Sequence, residues 1–179
     1  LCNQHGLYHK ARAEYGVAEP LYRRALTIDE ASYGPDHPDV ARDLNNLAEL
    51  LRTTNRAGEA EPLYRRALAI DEASYGPDHP TVAIRLGNLA QLLWSTNRAG
   101  EAELLARRAV KSFTASLPEG HPHIDIAREI HAGILAGLGG TSGMSGPANV
   151  GSAHQQAPSV QPAASAPPKR GLLARLFGR

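Results

Sequence analysis

Three histidines recur at a spacing of 42 residues, and histidine is the commonest metal ligand among the side chains. They are His37, His79 and His121, each followed by a proline. In a stack of repeated units, equivalent residues lie at least one helix spacing apart, about 8 to 10 Å. Zinc ligands lie about 2 Å from a single ion. These three histidines therefore do not share a metal ion.

A second candidate metal cluster lies later in the chain. It consists of His121, His123 and Asp125, with Glu129 or His131 as a further ligand. The repeated His-Pro loop accounts for His121 without any metal chemistry. We therefore predict no metal site and no cofactor.

Catalytic motifs are missing from the sequence, which has no GxxxxGK phosphate loop, no HExxH and no GxSxG. The glycine-rich stretch 139–146 is not followed by the lysine and helix that a phosphate loop needs. Cys2 is the only cysteine, so no disulfide forms within the chain. We predict that the chain is not an enzyme. The lone cysteine and the lack of a membrane-length apolar run favour a cytoplasmic protein.

Paired arginines raise the question of nucleic-acid binding. The pairs are Arg23 and Arg24, Arg65 and Arg66, and Arg107 and Arg108. They lie among acidic residues such as Glu61 and Asp71, and residues 1–168 contain 18 acidic against 15 basic residues. A net negative charge opposes binding of a polyanion. We expect these arginines to form solvated surface and to pair between repeats, and we predict no nucleic-acid partner.

These side chains are positioned by a segment that occurs twice. Residues 18–38 read AEPLYRRALTIDEASYGPDHP and residues 60–80 differ from them only at one position, Thr27 against Ala69. A third, degraded copy starts at Ala102 in the same 42-residue register. Self-similarity at a fixed period of this size indicates a stacked-repeat solenoid.

Each unit is predicted to contain two helices. Apolar residues recur at three- and four-residue intervals, which is the pattern of a helix with one buried face. Gly34 with Pro35 should stop one helix, and Pro38 should start the next. Asn55, Arg56 and Gly58 are expected to form the tight turn within a unit. We predict partial units at 1–34 and 122–138 and complete units at 38–76 and 80–118. The first residues already match the middle of a repeat, so we expect a longer parent protein.

The two-helix unit resembles the tetratricopeptide repeat, in particular the long form of kinesin light chains and their bacterial relatives. The matching residues of the first complete unit are Leu44, Leu47, Ala48, Leu51, Ala60, Tyr64 and Ala67, followed by the YGPDHP loop. The next unit departs from the pattern at Ala106, where an aromatic residue is expected. The resemblance implies an all-α solenoid of antiparallel helix pairs, wound as a right-handed superhelix, that binds a protein or peptide.

In that family, the first helix of each unit lines a concave groove. The register places candidate peptide-binding residues there: Arg42, Asn45, Asn46, Glu49, Arg52, Asn88, Gln91 and Trp94. Asn46 and Asn88 occupy equivalent positions, and the resemblance implies that such asparagines hold a peptide backbone. Trp94 is the only tryptophan and lies off the core stripe, where it either anchors a partner or packs on a neighbouring helix.

The sequence after the repeats changes character. Residues 139–168 contain 21 glycines, alanines, serines and prolines and no charged side chain, which is typical of a disordered linker. Residues 169–179 are basic, with the apolar residues predicted on one helical face. Candidate docking residues in this tail are Arg170, Leu172, Leu173, Arg175, Leu176 and Phe177. The tail is interpreted as an untethered, solvent-exposed segment, a weak membrane-surface helix, a docking motif for another protein, or a ligand for the chain's own groove.

The function predicted from the sequence is that of a protein-interaction scaffold. Two alternatives stay open: a regulatory or sensor module of a larger signalling protein whose effector domain lies upstream, and recruitment to a membrane surface through the tail. The sequence does not indicate the oligomeric state or the partner.

Overall fold

The computed structural model describes Gln4, Gly6 and residues 14–140 of the chain. Six helices lie within residues 14–140: α1 (Tyr15–Tyr33), α2 (Pro38–Thr53), α3 (Ala57–Tyr75), α4 (Pro80–Ser95), α5 (Ala99–Ser116) and α6 (Pro122–Gly140). No strand occurs among the described residues. The predicted all-α repeat fold is therefore confirmed. None of these six helices is both long and apolar enough to cross a membrane.

The repeated histidines start helices. His37 is the N-cap of α2, and its Nδ1 accepts a hydrogen bond from the backbone N–H of Asp39 at 3.2 Å. His79 caps α4 in the same way through the N–H of Thr81. Such a bond satisfies one of the N–H groups that a helix leaves without a partner in its first turn. Capping accounts for the 42-residue spacing of the histidines.

Glycine and asparagine end the helices. Gly34 and Gly76 follow α1 and α3 with φ of +91° and +85° and ψ near 162°, a region open essentially to glycine alone. Within the units, Asn55 and Asn97 both have φ of +62°. This left-handed conformation turns the chain between the two helices of a unit, and asparagine tolerates it better than most residues.

The short turn makes α2 and α3 an antiparallel pair, which we call the first unit, and α4 and α5 form the second unit in the same way. The predicted apolar stripes are buried: Leu44, Ala48 and Tyr64 are 0% exposed. Ala60 and Ala67 are also 0% exposed, as expected for small residues where helices pack closely. One core cluster extends from Ala18 in α1 to Ile134 in α6 and joins both units.

Ion pairs link successive helices of the outer layer, which consists of α1, α3 and α5. Arg56 contacts Glu19 at 2.7 Å, and Arg98 contacts Glu61 at the same distance one unit later. Among the paired arginines, Arg66 binds Glu30, at 2.7 Å. Arg108 contacts Glu72, likewise at 2.7 Å. Arg66 and Arg108 therefore pair between repeats, whereas the first arginine of each pair contacts a glutamate one turn earlier on its own helix.

Helix α6 ends among the glycines at 137, 139 and 140, where the sequence predicts the end of the last helix. Gln4 and Gly6 are helical, and the rest of residues 1–13 lies outside the described part. The predicted linker beyond residue 140 and the predicted tail at 169–179 also lie outside it.

Candidate functional site

The first helices of the units, α2, α4 and α6, form an inner layer, and we call its exposed side the inner surface. Side chains of neighbouring helices in this layer contact one another. Asn88 of α4 donates a hydrogen bond to Asn45 of α2, and the ring of Trp94 in α4 lies against Gly137 of α6. The candidate residues predicted from the register are distributed along α2 and α4 of this layer.

Asn45 and Asn88 are not on the exposed part of this surface. They are 2% and 3% exposed, and Asn88 Nδ2 lies 2.9 Å from Asn45 Oδ1. The two amides therefore hold α2 against α4. Asn46 is half-buried beside this pair, so of the two register-equivalent asparagines it is the one nearer to solvent.

Glu49 and Arg52 belong to a polar network inside the first unit. The Arg52 guanidinium binds Glu49 at 2.8 and 2.9 Å, and the Tyr64 hydroxyl donates to Glu49 Oε2 at 2.7 Å. Burial raises the pKa of Tyr64 well above its ordinary value, so the hydroxyl stays protonated and donates. This network links α2 to α3, and the buried Tyr64 ring fills the position that Ala106 occupies in the second unit.

Arg42 is the most exposed of the candidates on α2, with 49% of its side chain accessible. It binds Asp39 on its own helix and reaches Asp29 of α1 at 3.4 Å. Its Nε lies 3.5 Å from Asp43, a carboxyl that is fully buried. Burial, and to a smaller extent the neighbouring Asp29, raises the pKa of the Asp43 carboxyl to about 7. Arg42 thus sits at the edge of an acidic contact between α1 and α2.

An apolar recess opens between α4 and α6, where α6 packs on the second unit, and residues of α5 also line it. Its volume is about 350 Å³ including the open mouth, but the enclosed part is about the size of one water molecule. The recess therefore fits one inserted side chain rather than a cofactor. Residues that line it include Ala83, Gly87, Ala106, Phe113, Ile126 and Ile130.

Two small residues create this recess. Gly87 stands where the first unit has Asn45, and Ala106 stands where it has Tyr64. A Cβ atom built on Gly87 would meet nothing within 4 Å. Burial lowers the pKa of His123, which also lines the recess, so this imidazole is neutral at pH 7. Both departures from the repeat are visible in the sequence, but they form a recess only because the fold brings Gly87 and Ala106 together.

Trp94 lies further along the same seam between α4 and α6. It is 37% exposed, and a Cβ on Gly137 would lie 1.9 Å from its ring. One edge of the ring therefore packs on α6, part of the side chain faces solvent, and the role of Trp94 as an anchor for a partner stays a prediction. Gln91, one turn before it on α4, is half-buried.

The candidate metal cluster at His121 has other roles. The Nδ1 of His121 accepts from the backbone N–H of His123, and His131 lies 3.2 Å from Glu103 of α5. Within residues 14–140, no three histidine, cysteine or acidic side chains are placed to hold a metal ion.

A tetratricopeptide repeat family model matches residues 1–73 and 56–115, which together make up more than half of the sequence. The chain belongs to the tetratricopeptide repeat family. No curated protein matches it.

Solved structures share its fold at low sequence identity. A putative kinesin light chain from Podosopora anserina, with nearly identical TPR-like repeats, has a TM-score of 0.72 at 18% identity. That match covers 79% of this chain and 66% of the relative, so this chain spans slightly less than two thirds of that protein. BtubC (BKLC) from P. vanneervenii has a TM-score of 0.63 at 17% identity, covering 88% and 70% of the two chains.

A third structure is the Sgt2 TPR domain from Aspergillus fumigatus, with a TM-score of 0.60 and 17% identity. It covers 87% of this chain and 89% of that domain. Two of these three structures carry repeats of the kinesin light chain type, which agrees with the form of tetratricopeptide repeat predicted from the sequence.

Proposed function

We propose that this chain is a protein-interaction scaffold that holds an extended segment or a helix of a partner protein on its inner surface. Tetratricopeptide repeats generally mediate protein–protein interaction, and the family is typically not enzymatic. The finer statement, that binding occurs on the inner surface, rests on the chemistry of that surface.

The observation that carries the proposal is the apolar recess beside an exposed tryptophan. Partner proteins are usually anchored by a few apolar or aromatic side chains in a pocket, with polar groups around it. Here the recess lies between α4 and α6, Trp94 continues the apolar seam, and Gln91 and Asn46 supply amides that donate to and accept from a peptide backbone. Arg42, which already binds Asp39 and Asp29, lies exposed at the other end of the surface.

The direct test is a selection of peptides from a displayed random library on the full chain, followed by affinity measurements on variants. Ile84→Asp places a carboxylate at the recess, and Trp94→Ala removes the aromatic anchor. We expect each to weaken binding of the selected peptides by at least tenfold, since central anchors at interfaces contribute this much or more. Asn46→Ala should weaken binding by a smaller factor.

The matched control is Arg107→Ala, which removes a side chain that is 64% exposed on the outer helix α5. It should leave binding unchanged, and circular dichroism should show equal helicity in all variants. Selected peptides that bind the Ile84→Asp and Trp94→Ala variants as tightly as the unchanged chain would contradict the proposal.

A further inference from the structure

We propose that the recess between α4 and α6 is a docking site for the chain's own C-terminal segment, residues 171–177. This inference deepens the proposed function, on which it rests, because it names a competitor for the same recess. Four observations carry it: the shape of the recess, the distance the chain must cover, the spacing of apolar residues in the segment, and the charges of the two parts.

The recess accepts an aliphatic or aromatic side chain. Its wall is formed by the alanines at 83, 106 and 127 and by Ile126 and Ile130. None of the residues that line it is a lysine or an arginine, and His123 is neutral at pH 7 because burial lowers its pKa. An inserted side chain must therefore be apolar.

The length of the chain after α6 is sufficient for this return. Helix α6 ends at Gly140, and Ile126 lies 14 residues before its end, which is about 21 Å at 1.5 Å per residue. Thirty residues of a glycine-, serine- and alanine-rich sequence have an r.m.s. end-to-end distance of about 30 Å. The sequence between Gly140 and Gly171 has this length and composition. The two distances match, so docking within one molecule is geometrically favourable.

The segment has the apolar residues that the recess requires. Leu172, Leu173, Leu176 and Phe177 have the one, three and four spacing of a single helical face. In the same helical arrangement, Ala174 and Arg175 lie away from the centre of that face. A helix of this length is marginal alone in water, so an apolar surface to pack on would stabilise it.

Charge complementarity favours the same pairing. Residues 14–140 contain 18 acidic residues and 13 lysines and arginines, whereas residues 169–179 contain four basic residues and no acidic one. Glu129 is exposed and lies between Ile126 and Ile130 in sequence, one helical turn from the former. It is placed to receive Arg175 or Arg170 when the apolar residues occupy the recess.

The test uses alanine-methyl NMR spectra of the full chain without any partner. Leu176→Asp puts a charge on the apolar face of the segment, and Ala174→Asp adds the same charge outside it. We expect the methyl signals of Ala83, Ala106 and Ala127 to move in the Leu176→Asp variant and to stay in the Ala174→Asp control. The signals of Ala41 and Ala67 in the first unit should not move in either variant.

Several outcomes would overturn the inference. Identical spectra for the unchanged chain and Leu176→Asp would show that the recess is not occupied by the segment. Recess signals that revert on tenfold dilution would assign the contact to a second copy. Co-sedimentation with phosphatidylserine vesicles that depends on Leu176, without any shift of the recess signals, would assign the segment to a membrane surface. Each of these results leaves the partner-binding proposal standing, because no partner is present.

Competition is tested separately with a selected peptide. If the segment occupies the recess in at least half of the molecules, the peptide should bind Leu176→Asp at least twofold more tightly than the unchanged chain. Equal affinities for the two chains would show that the segment does not compete with the peptide for the recess.

Discussion

The first and second units share almost the same helix boundaries but fill the space beside α2 and α4 differently. In the first unit, Tyr64, Glu49 and Arg52 form a closed polar network. In the second unit, the equivalent residues are Ala106, Gln91 and Trp94, and a recess opens instead. The comparison teaches that an apolar recess arises in this repeat protein where a copy departs from the pattern, while the faithful copies maintain the stack.

The contact between neighbouring units varies in the same way. Asp29 faces Asp43, the equivalent Asp71 binds Arg85 at 2.7 Å, and the third equivalent contact is Phe113 with Ala127. The chemistry thus changes from two acids to an ion pair to an apolar contact along the stack. A fixed backbone geometry accommodates all three.

Removing the central side chain of the closed unit should have the largest effect. Tyr64→Ala deletes a fully buried ring and leaves Glu49 without the hydroxyl that it accepts from. We expect the free energy of unfolding to fall by about 3 to 5 kcal/mol, the usual cost of a large cavity in a core. Urea denaturation measures this loss. A loss below about 1 kcal/mol would show that the first unit tolerates the opening found in the second.

The buried acidic contact of the first unit should make stability depend on pH. The pKa of Asp43 is about 7 in the folded chain against an ordinary value of 3.8. As the pH rises, Asp43 therefore loses its proton at a lower pH in the unfolded chain than in the folded chain. The free energy of unfolding falls between about pH 4 and about pH 7 as a result. Asp43→Asn should raise the free energy of unfolding by about 2 to 4 kcal/mol at pH 8 and leave it unchanged near pH 3.

The matched control for this change is Asp71→Asn in the equivalent contact between the first and second units. Burial raises the pKa of Asp71 too, and Arg85 offsets only part of that rise. Removing the carboxylate nevertheless leaves Arg85, whose side chain is only 9% exposed, buried without its partner, so this variant should be less stable at pH 8. Denaturation curves that show the same sign for both variants would contradict the distinction between the two contacts.

Substitutions at two glycines of α6 test whether the Trp94 ring packs on Gly137. Gly137→Ala would place a Cβ 1.9 Å from the Trp94 ring, whereas Gly133→Ala meets nothing within 4 Å. We expect Gly137→Ala to lower stability by about 1 to 3 kcal/mol and to shift the tryptophan emission. Gly133→Ala should leave the emission unchanged. Equal emission spectra in the two variants would show that the ring does not rest on Gly137.

The smallest change in stability is expected for a substitution of Gly87, which lines the recess. Gly87→Ala adds a methyl group to open space and replaces glycine inside a helix. Alanine is favoured over glycine there by about 0.8 to 1 kcal/mol, so the midpoint of thermal unfolding should rise slightly. A decrease would show that the space over Gly87 is already filled.

Much of this architecture could be predicted from the sequence because the repeat is written almost without change. The nearly identical copies at 18–38 and 60–80 determine the helix pairs, and the apolar spacing determines which faces are buried. The capping role of the histidines could not be predicted in the same way, because a recurring histidine is as consistent with metal binding as with helix capping. The structure resolves this, since each histidine ring accepts a backbone N–H.

The inner surface was harder to predict, for a geometric reason. Register arguments assume that equivalent residues share an environment, but the bond between Asn45 and Asn88 joins positions that are not equivalent. The recess likewise depends on Gly87 and Ala106, which lie on different helices and become neighbours only in the folded chain.

The central claim is that departures from the repeat at Gly87 and Ala106 create the binding feature of the second unit. The most direct measurement is the affinity of a selected peptide for a double variant, Gly87→Asn with Ala106→Tyr, which copies the residues of the first unit into the second. With helicity retained, we predict that the affinity falls at least tenfold. An unchanged affinity in the folded variant would contradict the account.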